Sequence, residues 1–285
     1  MLIGLAAVSW GTTGPVTAVL VATADATALV IGAVRMLVAA VLLAVLARWL
    51  VGSLRIAPAD RRRCVGLGLC LAAFQATYFS AVTLIGVATA ALIAICGAPL
   101  LIAALAAVML GERVTARVAG ALALGIAGTA LLIVGPRTAA DVSARFGAGA
   151  LLALGAGLSY ALYVVLAKAT LARTAPLPLA AASFGVGALV LAPMLATPGV
   201  GHQLALGWPW LLYLGAVTTA GAYAIYTLGL RHVSASSAGV VALLEPLTAT
   251  LLGVVFFGER LGAAGVLGAI LLFAALGLLG ARSAA

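Results

Sequence analysis

Long apolar stretches fill most of the chain, and short polar breaks separate them. A bilayer core about 30 Å thick takes about 20 helical residues to cross, so each stretch of that length predicts a membrane-spanning helix. The breaks leave ten stretches, and we predict an all-α integral membrane protein. The ten predicted helices cover residues 2–21, 28–50, 64–85, 88–110, 117–135, 147–169, 178–196, 208–230, 235–257 and 262–281.

The composition agrees with this pattern. Apolar residues make up 66% of the chain, charged residues only 7%, and the mean hydropathy is +1.31. Soluble domains are about 25% charged, so the solvent of this chain is the lipid bilayer. The net charge of +9 indicates basic cytoplasmic loops, with no nucleic-acid partner. Cys64, Cys70 and Cys96 all lie in apolar stretches, so their spacing favours neither a disulfide framework nor a metal site, and no cofactor is predicted.

The basic residues predict the orientation. With a cytoplasmic N-terminus, only Arg137, Arg145 and Arg260 of the 15 basic residues fall outside, and Arg35 lies within a helix. Cytoplasmic loops carry such an excess of positive charge. We therefore expect a multi-pass protein of a bacterial inner (plasma) membrane with both termini cytoplasmic. No basic segment precedes "VATADA", so we expect the first helix to be retained.

The two halves of the chain are related. Pro99 aligns with Pro246 at an offset of 147, and the "GER" at 111–113 aligns with the "GER" at 258–260. This predicts a first repeat over 1–135, a linker over 136–146 and a second repeat over 147–285. Five helices per repeat is an odd number, so the second repeat enters the membrane from the opposite side. Inverted repeats are typical of secondary transporters that work by alternating access; the alternative is a duplication kept for stability.

Polar and aromatic side chains recur at helical spacing on four predicted helices. Polar groups in hydrocarbon are costly, so these side chains are predicted to face a central cavity and bind substrate. Ser and Thr bonded to their own backbone, and Tyr and Trp at the headgroups, are the alternatives. The predicted substrate-binding residues of this group are Trp10, Thr13, Gln75, Tyr78, Phe79, Tyr160, Tyr163, Tyr223 and Tyr226.

Two prolines lie midway along predicted membrane-spanning helices. Pro99 and Pro246 each remove a backbone hydrogen bond, and we predict that they act as hinges; a static bend is the alternative.

The fifth and tenth helices carry small residues four apart, which allow close packing against a neighbour or a second copy. We therefore expect a monomer or a weak homodimer. These small residues are Ala121, Gly125, Gly265 and Ala269.

Glu245 is the acidic residue predicted near the middle of the membrane. An ionised, isolated carboxylate there costs several kcal/mol. It could bind the amino group of a substrate, take up a proton, or hold the Pro246 kink as a neutral group. The candidate cations for a zwitterion are Arg35, Lys168 and His232. We expect Arg35 to extend outward or pair with Asp25, and Glu112 and Glu259 to form solvated loop pairs with their neighbouring arginines.

These features resemble the EamA-type members of the drug/metabolite transporter superfamily. The resemblance rests on two five-helix halves, a proline midway along the fourth and ninth helices, and the endings "LGER" and "FGER". It covers essentially all 285 residues. The segment "LLEPLTA" is most similar to bacterial amino-acid exporters, including the aromatic type. The resemblance implies an inner-membrane exporter whose fifth and tenth helices lie at the periphery.

The sequence therefore predicts a secondary transporter that exports small metabolites, with amino acids of aromatic or apolar character preferred. Aromatic faces suit flat substrates and hold ammonium groups by cation–π contact. Export of drug-like or sugar-derived metabolites, or a passive channel, are the alternatives. The chain lacks HExxH, GxSxG and GxxxxGK[ST], so we expect neither an enzyme nor direct ATP coupling.

Overall fold

A computed structural model describes residues 1–134, 144–257 and 262–280. The described residues form thirteen α-helices joined by short turns. Residues 136–143 of the predicted linker, together with Glu259 and Arg260, lie outside this part of the chain. The helices are α1 (Leu2–Gly11), α2 (Thr13–Ala24), α3 (Ala28–Leu46), α4 (Arg61–Ile85), α5 (Val87–Leu110), α6 (Ala116–Val134), α7 (Ala144–Thr170), α8 (Pro176–Leu191), α9 (Val200–Gly215), α10 (Ala222–Leu230), α11 (Ala235–Ala242), α12 (Leu244–Phe257) and α13 (Ala263–Gly280).

The all-α membrane fold is confirmed. In the described ranges, eight helical spans are long and apolar enough to cross a bilayer, and α6 and α13 contribute two shorter apolar stretches. Three spans are composite: α1 with α2, α9 with α10, and α11 with α12. All ten predicted helices have a counterpart, but the count of ten crossings stays a prediction.

The eighth predicted helix starts earlier than its sequence indicates. We predicted a start at residue 208, whereas α9 begins at Val200 behind Gly199, which has a φ of +83°. His202 lies exposed in the first turn of α9. Pro209 lies inside this helix. One missing backbone bond is tolerated in a membrane helix.

The chain divides into two compact units that do not coincide with the predicted repeats. Unit 1 consists of residues 1–76 and 166–232, and unit 2 of residues 77–165 and 233–285. Each unit takes helices from both halves of the sequence. Two of the three boundaries fall inside α4 and α7, and the third lies between α10 and α11.

Unit 1 depends on close packing between α3 and the helices α8 and α9. A Cβ atom built on Gly215 would lie 2.5 Å from Val38 Cβ, and one on Gly187 would lie 2.7 Å from Met36 Sδ. Real side chains do not approach so closely, so these glycines allow α8 and α9 to contact α3. The apolar core beside them includes the fully buried Ile31 and Leu214.

Unit 2 is built around α6 and α13, which run against each other along their length. A Cβ atom on Gly128 would lie 2.7 Å from the Gly268 carbonyl oxygen, and Ala121 is fully buried. The Arg117 Nε also donates to the Leu278 carbonyl over 2.6 Å. Of the small residues singled out in the sequence, Ala121 packs in a cluster with Leu279 of α13, and a Cβ atom on Gly125 would lie 2.5 Å from Leu243 and 3.7 Å from Ala275 of α13.

Two membrane-spanning segments are interrupted close to their middle. The first breaks at Thr12, between α1 and α2, and the second at Leu243, between α11 and α12. Each break lies three residues before a proline, Pro15 or Pro246, which cannot donate a backbone hydrogen bond to the preceding turn. Pro99, by contrast, lies inside the unbroken helix α5. A third irregularity is a π-helical turn, Ala216–Gly221, between α9 and α10.

Candidate functional site

A buried aromatic cluster lies in unit 1. The Trp10 ring lies 5.1 Å from the rings of Tyr223 and Tyr226, and the Phe184 ring lies 4.7 Å from Tyr223 in an edge-on arrangement. All four side chains are buried, Trp10 to 6% and Tyr226 to 0% exposure. Three of the four are predicted substrate-binding residues. Phe184 was not predicted, because the seventh predicted helix shows no polar stripe. We call the side chains of Trp10, Phe184, Tyr223 and Tyr226 the ring cluster.

Arg35 lies on α3 and points into unit 1. Its Nε donates to Thr219 Oγ1 over 3.1 Å, and the Thr219 hydroxyl donates to the Leu214 carbonyl over 2.7 Å. The expectation that Arg35 extends outward or pairs with Asp25 missed this inward bond. The signal was present in the sequence, because an arginine inside an apolar helix is a functional candidate by default.

Hydrogen bonds of the Thr12 side chain hold the break in the first segment. Thr12 Oγ1 donates to the Ser9 carbonyl over 2.7 Å and shares a hydrogen bond of 2.9 Å with the Tyr213 hydroxyl. The Thr13 Oγ1 atom is buried and has no hydrogen-bond partner among the described residues. The sequence around this break is "TTGPVT", in which Pro15 cannot donate a backbone hydrogen bond.

The other predicted aromatic residues belong to unit 2. Tyr78 and Phe79 on α4 have ring centroids 5.7 Å apart, and Tyr160 and Tyr163 on α7 are stacked at 6.4 Å. Tyr78 packs on the small buried cluster of Ala81, Ala90 and Ala153. Gln75, on the same predicted stripe as Tyr78, is buried and belongs to unit 1. The stripe on the third helix is therefore divided between the two units.

Glu245 lies in the first turn of α12, directly after the break at Leu243. Its side chain is half-buried, and the adjacent Pro246 is buried. The amino end of a helix carries a partial positive charge, so this position favours a carboxylate. Within the described part of the chain, no three His, Cys, Asp or Glu side chains are grouped to hold a metal ion.

Lys168 and His232 lie at helix ends. The Lys168 Nζ donates to the carbonyls of Leu230 and Arg231, at 2.9 and 3.2 Å, and so caps the end of α10. His232 is exposed in the following turn. Arg35 and Lys168 both lie in membrane-spanning helices; Arg35 bonds to the Thr219 side chain, whereas Lys168 bonds to the carbonyls that end α10.

Glu112 has a different role from the one its sequence indicated. We expected a solvated pair with Arg113, but the carboxylate accepts hydrogen bonds from the backbone N–H groups of Ala235 and Ser236, at 2.7 and 3.2 Å, and from Ser236 Oγ at 2.9 Å. Glu112 therefore caps the start of α11. A carboxylate at that end satisfies N–H groups that have no partner in the helix.

Asp60 is a buried charge that the sequence analysis did not single out. Its carboxylate accepts hydrogen bonds from Arg173 at 2.7 Å, Thr174 at 3.0 Å and Arg63 at 3.3 Å. The hydrogen bond to Asp60 raises the pKa of the Arg173 guanidinium. Asp60 thus joins the turn before α4 to the turn before α8.

The whole chain is similar to known transporters. The model of the EamA-like transporter family matches residues 1–134 and again residues 147–281. The uncharacterized transporter YwfM of Bacillus subtilis (strain 168) is 36% identical over 96% of this chain and 90% of its own length. An uncharacterized transporter of Archaeoglobus fulgidus is 30% identical over 75% of this chain and 74% of its own length.

A solved crystal structure has the same fold. It superposes with a TM-score of 0.82 over 98% of this chain and 95% of that chain, at 23% identity. Together with the apolar helices, the family match makes this chain a multi-pass membrane transporter. The chain belongs to the EamA-like transporter family.

Proposed function

We propose that this transporter exports small metabolites across a bacterial inner membrane, and that amino acids with aromatic or apolar side chains are its preferred substrates. The ring cluster carries the proposal. Trp10, Tyr223, Tyr226 and Phe184 offer aromatic faces and edges inside membrane-spanning helices. Aromatic rings add stacking energy to apolar contact and hold ammonium groups by cation–π attraction.

The backbone around the ring cluster supports a mobile site. Trp10 lies just before the break at Thr12, and Tyr223 lies just after the π-helical turn Ala216–Gly221. Interrupted helices and π-helical turns recur at functional sites in membrane proteins, since their backbone can change conformation at low cost. We propose that these two segments move to admit a substrate ring between the four side chains.

Alternating access is the proposed mechanism. The breaks at Thr12 and Leu243 belong one to each half of the sequence, although they do not occupy equivalent positions in the repeat. Pro246 remains a proposed hinge because its helix is interrupted beside it, and Pro99 is a proposed hinge on the repeat alignment alone. The proposal requires only that the segments on either side of each break change their relative angle.

Counterflow in liposomes tests the proposed substrate class. Purified protein is reconstituted with one amino acid inside, and exchange is followed for a panel of aromatic, apolar, polar and charged amino acids, with and without a pH gradient. We expect the fastest exchange for aromatic and apolar members. If none exchanges above empty liposomes, the amino-acid proposal is wrong. Flux without counterflow would instead indicate a channel.

Three roles are proposed for Glu245, and the variant Glu245→Gln distinguishes them. A substrate-binding role predicts that Glu245→Gln weakens uptake of amino acids at every pH, because the ammonium group loses its anion. A coupling role predicts loss of the response to a pH gradient. If neither property changes and only the thermal stability falls, Glu245 serves the helix start beside Pro246. Asp25→Asn, at an exposed carboxylate, is the matched control.

A further inference from the structure

A basic segment joins two consecutive membrane spans. The spans Ala28–Val51 and Pro58–Ile85 follow each other along the chain, so the residues between them lie at one face of the membrane. Residues 48–63 contain five arginines and a single acidic residue, Asp60. Each of these arginines lies within two helical turns of the end of a span. We call residues 48–63 the basic segment, and its arginines are Arg48, Arg55, Arg61, Arg62 and Arg63.

The positive charge of the basic segment is largely uncompensated. Asp60 is fully buried, and its one carboxylate already pairs with two guanidinium groups, those of Arg173 at 2.7 Å and Arg63 at 3.3 Å. Three further exposed arginines make no side-chain hydrogen bond or salt bridge to any described residue, namely Arg55, Arg61 and Arg62. The segment therefore keeps an excess of positive charge that attracts an external anion.

An open groove lies beside the first arginine of the segment. Its volume is about 670 Å³, and it is lined by Ala44, Val45, Arg48 and Trp49. Arg48 Nη1 donates to the Gly52 carbonyl over 2.7 Å, which ties the side chain to its own turn. That bond occupies one of the five N–H donors of a guanidinium, and no other described residue binds the group. The groove thus combines apolar walls with a cation that can still donate to a ligand.

Large apolar side chains are exposed next to these arginines. Trp49 is 79% exposed, and Leu50, Val51 and Leu54 are exposed as well. A tryptophan at the end of a span is typical of the headgroup layer, because its ring is apolar and its indole N–H is polar. A soluble anion needs only the positive charge, whereas an amphiphile also uses the apolar surface. The combination favours a phospholipid as the ligand.

We propose that the basic segment and its groove bind an anionic phospholipid. The headgroup phosphate lies at Arg48, the positive field of the other arginines favours its charge, and the glycerol backbone packs on Trp49. Basic segments beside a span attract anionic lipids, and a guanidinium binds phosphate through paired N–H···O bonds. A zwitterionic lipid carries a cation next to the same phosphate, which the arginines repel. The proposal does not depend on which substrate is transported.

Native mass spectrometry of the full chain in detergent tests the proposal, because it counts bound lipids and yields their dissociation constants. The probes are phosphatidylglycerol and phosphatidylcholine with identical acyl chains. We expect phosphatidylglycerol to bind about tenfold more tightly, and this preference to shrink in concentrated ammonium acetate, which screens the arginines. An equal concentration of glycerol 3-phosphate should not displace the lipid, since it lacks the apolar contact.

Variants of the basic segment separate charge from apolar contact. Arg48→Gln should weaken phosphatidylglycerol about fivefold, as expected for one arginine at an anionic surface, and change phosphatidylcholine little. Trp49→Ala should weaken both lipids and keep their ratio. The largest loss of preference is expected from the triple variant Arg55→Gln, Arg61→Gln and Arg62→Gln.

The matched control is Arg231→Gln, at an exposed arginine directly after the span that ends at Leu230, and it should change neither affinity. Because the protein is in detergent, a lost preference cannot come from an altered orientation in the membrane. Equal binding of the two lipids by the wild type would overturn the inference, and so would an unchanged preference in the triple variant. Displacement by glycerol 3-phosphate would show a site for soluble anions and would overturn it too. Should the triple variant fail to fold, a wild-type preference that concentrated salt leaves unchanged would be the contradicting result.

Discussion

At the scale of single residues, two charged side chains bind the ends of helices that lie far away in the sequence. Glu112 caps the start of α11, and Lys168 caps the end of α10. The sequence marks both as residues at helix boundaries but says nothing of the partner, which is more than 60 positions away in each case. Such partners follow from the packing of the spans. Only a three-dimensional structure supplies that information.

Loss of the Glu112 cap should destabilise the protein measurably. We expect Glu112→Ala to lower the free energy of unfolding by about 0.5–2 kcal/mol, the usual range for a lost N-terminal cap, and Glu112→Gln to cost less because an amide oxygen still accepts. Thermal unfolding in detergent provides the measurement. Arg113→Ala, at the exposed neighbour, should be neutral; equal losses for Glu112→Ala and Arg113→Ala would show that the cap contributes nothing.

Asp60 should be a second sensitive point. In Asp60→Asn the buried side chain can no longer accept all the hydrogen bonds from Arg63, Arg173 and Thr174, because its amide nitrogen is a donor. That nitrogen would face a guanidinium, which is also a donor. We expect the unfolding temperature to fall by several degrees, as measured by light scattering during heating. The control is Asp25→Asn, because Asp25 is exposed and its φ of +48° suits asparagine. An Asp60→Asn protein as stable as the control would contradict the account.

At the scale of elements, the sequence predicts which segments cross the membrane but not where they break. Length and apolarity alone decide the first question, and all ten predicted segments have a helical counterpart. The position of a break depends on the surroundings of each proline. Pro15 and Pro246 lie beside breaks, whereas Pro99 and Pro209 lie in continuous helices, although each removes the same backbone bond. The neighbouring helices decide whether the freed carbonyl finds another donor.

This difference predicts unequal effects of two proline variants. Pro246→Ala should restore a backbone bond across the break at Leu243, stiffen the segment and slow amino-acid exchange severalfold. Pro99→Ala should have a smaller effect because α5 is already continuous. Initial exchange rates in liposomes, normalised to the amount of inserted protein, provide the comparison. Equal slowing by the two variants would favour symmetric hinges, and no slowing by either would remove both hinges.

The contact between α6 and α13 predicts a steric effect. Gly128→Ala places a methyl group 2.7 Å from the Gly268 carbonyl, so the helices must separate, at a cost of about 1–3 kcal/mol. Gly155→Ala meets nothing within 4 Å and should be neutral or slightly stabilising. Chemical unfolding of both variants in the same detergent measures the difference. If Gly128→Ala is as stable as Gly155→Ala, the close approach of these helices is not a source of stability.

At the scale of the whole molecule, the contacts agree with the predicted order of crossings. Asp60 and Arg173 are separated by four predicted helices, and so are Glu112 and Ser236; Lys168 and Arg231 are separated by two. An even number brings both partners to the same face of the membrane, and the omission of one helix from the third to the eighth would break at least one of these bonds. The repeat boundaries and the cytoplasmic termini remain predictions.

The candidate site was predicted in part. Helical spacing singled out Trp10, Tyr223 and Tyr226, and the structure brings these three rings together; their role in substrate binding stays a prediction. It could not reveal Phe184, whose helix is apolar on every side, nor the inward direction of Arg35, which depends on the π-helical turn opposite it. Periodicity identifies the face of one helix, whereas a site needs the faces of several helices in contact.

The central claim is that the ring cluster selects the side chain of the substrate, and the ratio of phenylalanine to leucine exchange tests it most directly. Trp10→Leu removes an aromatic face from the cluster. Trp208→Leu is the matched control, because it removes an exposed tryptophan outside the cluster. We predict that Trp10→Leu lowers the ratio by about tenfold, in line with the 0.5–1.5 kcal/mol of an aromatic pair, and that Trp208→Leu leaves it unchanged. An identical ratio in the wild type and both variants would contradict the account.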